Sequence, residues 1–303
     1  MADMTEGRGM GWLPDYPDFR DYTPERAALS QRLRELGQKD SIQAMLRKVG
    51  VAEAASVPAS ADLRPWCSPI EDQGNLGSCT AQAGAGIVEY FERRGFGRHI
   101  DASRLFLYKA TRNMLHWTGD TGAFLRTTMG ALVLFGAPPE EYWPYAIANF
   151  DKEPSPFCYA FAQSYQAISY YRLDPPGTAT NALLNRIKTN LAAGLPSMFG
   201  FTVYSSIGQA AATGRIPMPT AQEQIVGGHA VVAVGYDEKI KIKNSNPGGP
   251  ETTGALLIRN SWGSGWGENG YGWLPYQYVL QALAEDWWSL LKNEWVDTGA
   301  FKF

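Results

Sequence analysis

The sequence predicts an α+β protein. Helical patterns fill the middle of the chain, strand patterns are confined to its last third, and the two do not alternate. Hydrophobic residues make up 45% of the 303 and aromatic residues 13%, enough for a large core in one big domain or two lobes. No repeat or low-complexity tract breaks the pattern.

Residues 1–57 read differently from the rest. The stretch from Gly11 to Arg20 is irregular and aromatic, with Trp12, Tyr16 and Phe19 among prolines and aspartates. A first helix is expected next, capped by Thr23, with Pro24 at its first position, Leu29, Leu33 and Leu36 at helical spacing, and Gly37 at its end. A second is expected over 41–49, with Asp40 as cap and Gly50 as stop. The Ala/Ser-rich stretch 51–60, which holds Pro58, reads as a linker. This sets a boundary near Val57, between an N-terminal extension, 1–57, and a main domain, 58–303. In the main domain helices are expected over 79–94, 102–113, 123–135 and 181–193, with Gly95, Gly136 and Gly194 closing three of them. Strands are expected over 197–204, 229–236, 255–260 and 271–274, which are apolar, β-branched and aromatic with Gly and Pro between.

A net charge of −3 and a pI near 5.7 give no reason to expect nucleic acid or an anionic membrane as the main partner. No apolar run reaches transmembrane length, and Met1 to Trp12 lacks a secretory apolar stretch, which leaves the compartment open. Three cysteines, Cys67, Cys79 and Cys158, are too few for a disulfide scaffold, and a Cys67–Cys158 bridge has no positive support. The only histidines are His99, His116 and His229, the first two most simply surface or packing residues. No cluster has metal-ligand spacing, and no metal or other cofactor is expected.

The chemistry concentrates in three segments. Gln73-Gly74-Asn75-Leu76-Gly77-Ser78-Cys79-Thr80 opens a helix, which places Cys79 at an N-terminus where the dipole and free amides favour a thiolate. A buried, inert cysteine on a small-residue helix fits the same stretch. His229 follows Gly227-Gly228 and begins an apolar strand; alone it reads as a satisfied core or edge residue. Asn260 stands where another apolar strand leaves its sheet, a common place for a turn. The dense Gly/Trp run from Trp262 to Trp273 suggests something more constrained than an ordinary loop.

Together the three segments resemble the papain family of cysteine peptidases. Gln73 through Cys79 meets the family's Gln-Gly-x-x-Gly-Ser-Cys pattern, His229-Ala230 through Gly235-Tyr236 its His-Ala strand, and Asn260 through Tyr271 its Asn-Ser-Trp-Gly-x-x-Trp-Gly-x-x-Gly-Tyr pattern. The resemblance covers about 59–273. It implies a two-lobed fold, a helical lobe and a β-rich lobe with the active-site cleft between them. It implies an endopeptidase in which Cys79 is the nucleophile, His229 its acid and base, Asn260 the group orienting His229, and Gln73 an oxyanion donor. Trp262 would cover the His229–Asn260 contact and Trp266 would line the leaving-group side. Gly122 and Ala123 would pair with the backbone of a peptide or protein substrate. Gly200, Gly228 and Ala230 would shape a roomy apolar pocket for the second residue upstream of the cut. The sequence departs from the pattern at Leu76, where plant and animal members carry a disulfide cysteine, and at Thr80, where a Trp is usual; neither position carries a chemical step.

Many relatives carry an inhibitory segment across the cleft, and residues 1–57 are read as such a pro-segment, with Trp12, Tyr16 and Phe19 as wedges. The other reading is a permanent extension packed on the body. Two further functions share the constellation: a catalytically silent papain-like module that binds peptides or partners, and a thiol acyltransferase. Loss of nucleophile or base would mark the first, and product analysis with an added amine separates the second.

Overall fold

The computed structural model describes residues 7–51, 57–166 and 169–301; residues 52–56 of the expected linker lie outside the described residues. Two short helices come first, α1 (Gln31–Glu35) and α2 (Ile42–Lys48). Strand β1 (Ser60–Asp62) then leads to α3 (Cys79–Phe96), α4 (Arg104–Met114), α5 (Leu125–Leu134) and α6 (Pro156–Ala162). The remainder is β2 (Ser169–Arg172), α7 (Thr180–Ala192), β3 (Ser197–Tyr204), β4 (Ile225–Lys243), β5 (Glu251–Arg259), β6 (Tyr271–Pro275), α8 (Tyr276–Leu280), β7 (Ala284–Leu291) and α9 (Asn293–Val296). The strands form one antiparallel sheet in the order β2-β7-β3-β4-β5-β6, with β1 added against β4. Helices α3 to α6 gather as one lobe and the sheet forms the other, the α+β two-lobed arrangement expected.

Helix α3 lies at the seam, packed on α4 and α5 on one side and on β3 and β4 on the other. Every residue from Cys79 to Phe91 is buried, so this part of the helix has no solvent face and no need of an amphipathic pattern. Small residues make this possible. A Cβ on Gly84 would stand 3.0 Å from Thr128 Cγ2 and 3.2 Å from Leu107 Cδ2, and one on Gly86 would stand 3.0 Å from Arg259 Nε.

The expected main-domain helices and strands all form, with differences that have local causes. Helix α3 passes through Gly95 and is closed by Gly97, at φ 71° with its N–H on the Arg93 carbonyl. The first helix is one short turn capped by the Ser30 hydroxyl, not a long one capped by Thr23. The stretch before it is committed to tertiary contacts: Arg26 stacks over Tyr22 at 3.8 Å and Glu25 pairs with Arg186 at 2.7 Å. Ser41, not Asp40, caps α2, because Asp40 accepts from Lys48 and from Asn293 Nδ2. Strand β4 continues past Tyr236 through the alternating Lys239–Lys243 stretch, where Ile242 is buried between exposed lysines. Strands β1, β2 and β7 and helices α6, α8 and α9 were not expected. Cys67, Cys79 and Cys158 are all free, so no Cys67–Cys158 bridge forms.

Residues 1–57 are not uniform in their packing. Helix α2 buries Ile42, Met45, Leu46 and the adjoining Val49 in the main core, while residues 8–13 lie elsewhere, between the lobes.

Because α3 has no room at its middle, Gly84→Val is expected to destabilise the fold by about 1–3 kcal/mol through overpacking, despite a better helix propensity. A urea midpoint equal to the parent's would show that Thr128 and Leu107 give way freely.

Candidate active site

The turn 73–78 delivers the chain to α3 with Cys79 as the first helical residue and no side-chain cap ahead of it. The Cys79 thiol is fully buried; its Sγ accepts the Gly11 N–H at 3.3 Å and is also within reach of the Ala230 and Thr80 amides. Burial pushes it up to about 11, against the pull of those amides.

His229 sits on β4 opposite Phe201 of β3 and is likewise fully buried. Its Nε2 lies 2.8 Å from Asn260 Oδ1, and Trp262 stacks over the ring at 4.5 Å and 22°. The same Asn260 oxygen accepts the Ser261 N–H at 2.8 Å, which assigns it as an acceptor. Nε2 therefore carries the proton, and Nδ1, with no hydrogen-bond partner among the described residues, presents a lone pair. Burial holds the imidazole down to about 4, with Asn260 pulling the other way.

Gln73 is tied to the residue after Asn260. Its N–H donates to the Ser261 carbonyl at 2.9 Å, and its Oε1 accepts the Ser261 hydroxyl at 2.6 Å. That fixes the amide so that Nε2 points into the cleft, where it donates to the carbonyls of Leu76 (2.8 Å) and Gly9 (3.0 Å). The structure thus brings Cys79, His229, Asn260 and Gln73 to one buried place, with Trp262 over the His229–Asn260 contact. Trp266 stands edge-on behind Trp262 at 5.5 Å and packs on Gly272. Among the described residues, no group of three or more His, Cys, Asp or Glu is arranged to hold a metal ion.

A stretch of the chain's own backbone fills the cleft. Arg8 donates to the Trp262 carbonyl at 2.8 Å, with its guanidinium over the indole. Gly9 bonds the Gly74 carbonyl and accepts from Gln73. Gly11 donates to Cys79 Sγ and accepts the Ala123 N–H at 2.8 Å; Trp12 donates to the Gly228 carbonyl at 3.1 Å, and Leu13 to the Ala123 carbonyl at 3.2 Å. Only glycine fits at two of these positions: a Cβ on Gly9 or Gly11 would fall 1.9 Å from the Leu76 or Gly77 carbonyl oxygen. The Trp12 ring fills the space left by Gly200 and Gly228, and Ala230 is buried beside His229. Gly122, at φ 71°, backs Gly11.

Of the three expected wedges only Trp12 is one. Tyr16 and Phe19 are 87% and 93% exposed, because Asp15 and Asp21 hold that part of the chain on the surface through Arg126. The pocket is also less apolar than expected. Asp286 stands at its floor, accepting from the Trp12 indole N–H at 3.2 Å and the Trp288 indole N–H at 2.7 Å, with Arg172 at 3.1 Å. Burial pushes its carboxyl up to about 7. Sequence reasoning missed Asp286, since its positive φ of 62° interrupts the strand pattern of β7. It also missed Gly9 and Gly11, for which the spacing of small residues ahead of Trp12 was the available signal.

A papain family cysteine protease model matches residues 57–281. The chain is 36% identical over 223 residues to an uncharacterized peptidase C1-like protein of Acanthamoeba polyphaga mimivirus, covering 72% of this chain and 68% of that protein. Among solved structures it is similar to xylellain, a cysteine protease from Xylella fastidiosa, with TM-score 0.72, 32% identity and coverage of 94% of this chain and 96% of that one. A digestive procathepsin L 3 of Tenebrio molitor larval midgut shares the fold at TM-score 0.60 and 22% identity, over 79% of this chain and 72% of that one.

The buried imidazole has a stability consequence. His229 is held at about 4 against an ordinary 6.5, so between those values the unfolded chain binds more protons and stability falls as pH falls. Glu89 and Asp286, pushed up to about 7, act in the opposite sense, so the readout is a difference between variants. The urea midpoint of the parent is expected to drop relative to His229→Gln on acidification through this window. A constant gap between the two would remove His229 as the group responsible.

Proposed function

The chain belongs to the papain family of cysteine proteases and is a cysteine-type peptidase, and from that premise we propose which residues do its chemistry and that its cleft rests covered, as in a zymogen. Substrates are peptides or proteins, cleaved within the chain. Cys79 attacks the scissile carbonyl after His229 Nδ1 takes the thiol proton. The developing oxyanion receives the Gln73 Nε2–H and the Cys79 backbone N–H, each such donor worth about 10²–10³ in rate. His229 then returns the proton to the leaving amine, and water, activated by the same imidazole, releases the acyl group. Asn260 keeps Nε2 protonated and the ring in place, and Trp262 keeps their contact dry. No step calls for a cofactor.

The observation that carries this reading is the peptide already in the cleft. A carbonyl oxygen, that of Gly9, takes the Gln73 donor, while the next stretch pairs with Ala123 and Gly228 as an extended ligand does. Its direction accounts for its survival. The leaving amine departs on the His229–Trp262 side, so the acyl part of a substrate, which precedes the cut, runs along Ala123 and Gly228. Residues 8–13 pass from Trp262 to Ala123 as their numbers rise, opposite to that course. Residues 8–13 are therefore the inhibitory part of the 1–57 extension, and α2 belongs to the folded body.

The test is hydrolysis of a fluorogenic dipeptidyl amide under reducing conditions, each form against its Cys79→Ala blank. Trp12→Ala, or a chain starting after Pro14, is expected to turn over at least about tenfold faster than the full chain, since the loss of one anchored aromatic opens the cleft. A chain starting near Val57 is expected to be active but less stable, each buried α2 side chain lost costing about 2–5 kcal/mol. Equal rates for all forms would refute inhibition. No turnover from any form would favour a silent binding module, and product appearing only on an added amine an acyltransferase.

In the opened form Asn260→Ala is expected to cost less kcat/KM than His229→Ala, because it orients rather than reacts. Equal losses would overturn that division of roles.

A further inference from the structure

The distance between the nucleophile and the strand that pairs with substrate backbone must be held to within a fraction of an ångström, since a misplacement of about 1 Å costs about 10²-fold in rate. One residue of bound peptide spans that gap here: Gly11 gives its N–H to Cys79 Sγ and its carbonyl to Ala123. Two sequence features make the gap hard to hold. Leu76 stands where the resemblance places a disulfide cysteine, so the 73–78 turn carries no covalent tie there, and Gly77 and Gly122 are intrinsically free to move. Yet both glycine amides are bound, and by the same short network. Gly77 N–H donates to both Asp120 oxygens, at 3.0 and 3.1 Å. Asp120 Oδ1 accepts the Tyr108 hydroxyl at 2.6 Å, and that hydroxyl in turn accepts the Gly122 N–H at 3.1 Å. Tyr108 is fully buried on α4 with the Arg112 guanidinium 4.2 Å over its ring, which anchors the network to the helical lobe.

We propose that Asp120, acting with Tyr108, is a positioning residue that sets the separation between the Cys79 turn and the Gly122–Ala123 segment. Asp120 touches neither the thiol nor the bound backbone; it acts through Gly77, two residues before Cys79, and through Gly122, one residue before Ala123. The inference rests on the cleft being a peptidase site for its kinetic consequence, though not for its structural one.

The kinetic test uses the full chain carrying Trp12→Ala, so that the cleft opens without removing any part of the fold. Added to it, Asp120→Ala is expected to lower kcat/KM by about 10²-fold, kcat falling and KM rising together. Asp120→Asn keeps an amide oxygen for the Gly77 N–H and recovers most of the loss. Tyr108→Phe releases only the Gly122 end, so KM rises while kcat stays within about threefold. Asp120→Ala within about twofold of its parent, or Asp120→Asn no better than Ala, overturns the proposal. A second measurement needs no turnover. In the full chain, amide exchange at Gly77 and Gly122 is expected to rise together, at least about tenfold, in Asp120→Ala, with the Gln73 amide unchanged. Exchange at Gly122 that ignores Asp120 overturns the proposal even if the parent proves inactive, whereas an inactive Trp12→Ala parent with coupled exchange sinks only the peptidase assignment.

Discussion

The arrangement depends on a helix whose first 13 residues have no solvent face. Helix α3 can lie between the sheet and the other helices only because Ala81, Ala83, Gly84, Ala85 and Gly86 give it a narrow profile. Its position then dictates where the cleft falls: the helix begins at the junction of the lobes, and its first residue is Cys79. An exposed helix N-terminus would leave its amides to water. This one turns its first side chain toward the cleft, where the Gly11 N–H of the segment 8–13 meets Cys79 Sγ.

The second constraint is the loop after β5, where three successive side chains hold three different elements. The Arg259 guanidinium donates to the carbonyls of Ser68 and Pro69, both at 2.6 Å, and to the Ser68 hydroxyl at 3.0 Å. Asn260 takes His229, and Ser261 takes Gln73. Residues 68–69 lead directly into the turn that carries Gln73. The loop therefore ties the Gln73 amide and the imidazole to one strand end, and displacing it would disturb both together. A buried arginine with this many acceptors is costly to leave unpaired, which makes the loop resist partial opening. Glu89, which accepts the Ser68 hydroxyl from α3, links the same network to the seam helix.

Much of this was legible in the sequence, and for physical reasons. The α3 to α5 helices and the β3 to β6 strands announce themselves through glycine stops and apolar runs, and three chemical segments carry residue types whose spacing leaves few alternatives. What was not legible depends on tertiary partners. Thr23 and Asp40 are good caps in isolation, but Ser30 and Ser41 do the capping because the first region packs on Arg186 and the second pairs with Lys48 and Asn293. Strand β7 hides behind Asp286, whose left-handed backbone breaks the pattern while its carboxylate serves the Trp12 pocket. Tyr16 and Phe19 look like anchors by type, yet nearby aspartates clamped by Arg126 decide where they go.

The covered cleft also bears on the charge state of Cys79 and His229. A thiolate–imidazolium pair needs its charges solvated or paired, and with residues 8–13 in the cleft both Cys79 and His229 are fully buried. Burial shifts the two groups in opposite directions, the thiol up to about 11 and the imidazole down to about 4, and both shifts favour the neutral forms. Both groups are thus held in their neutral forms at one covered place. The cover is held by backbone hydrogen bonds, one indole and an ion-paired strap, and by no covalent bond to Cys79.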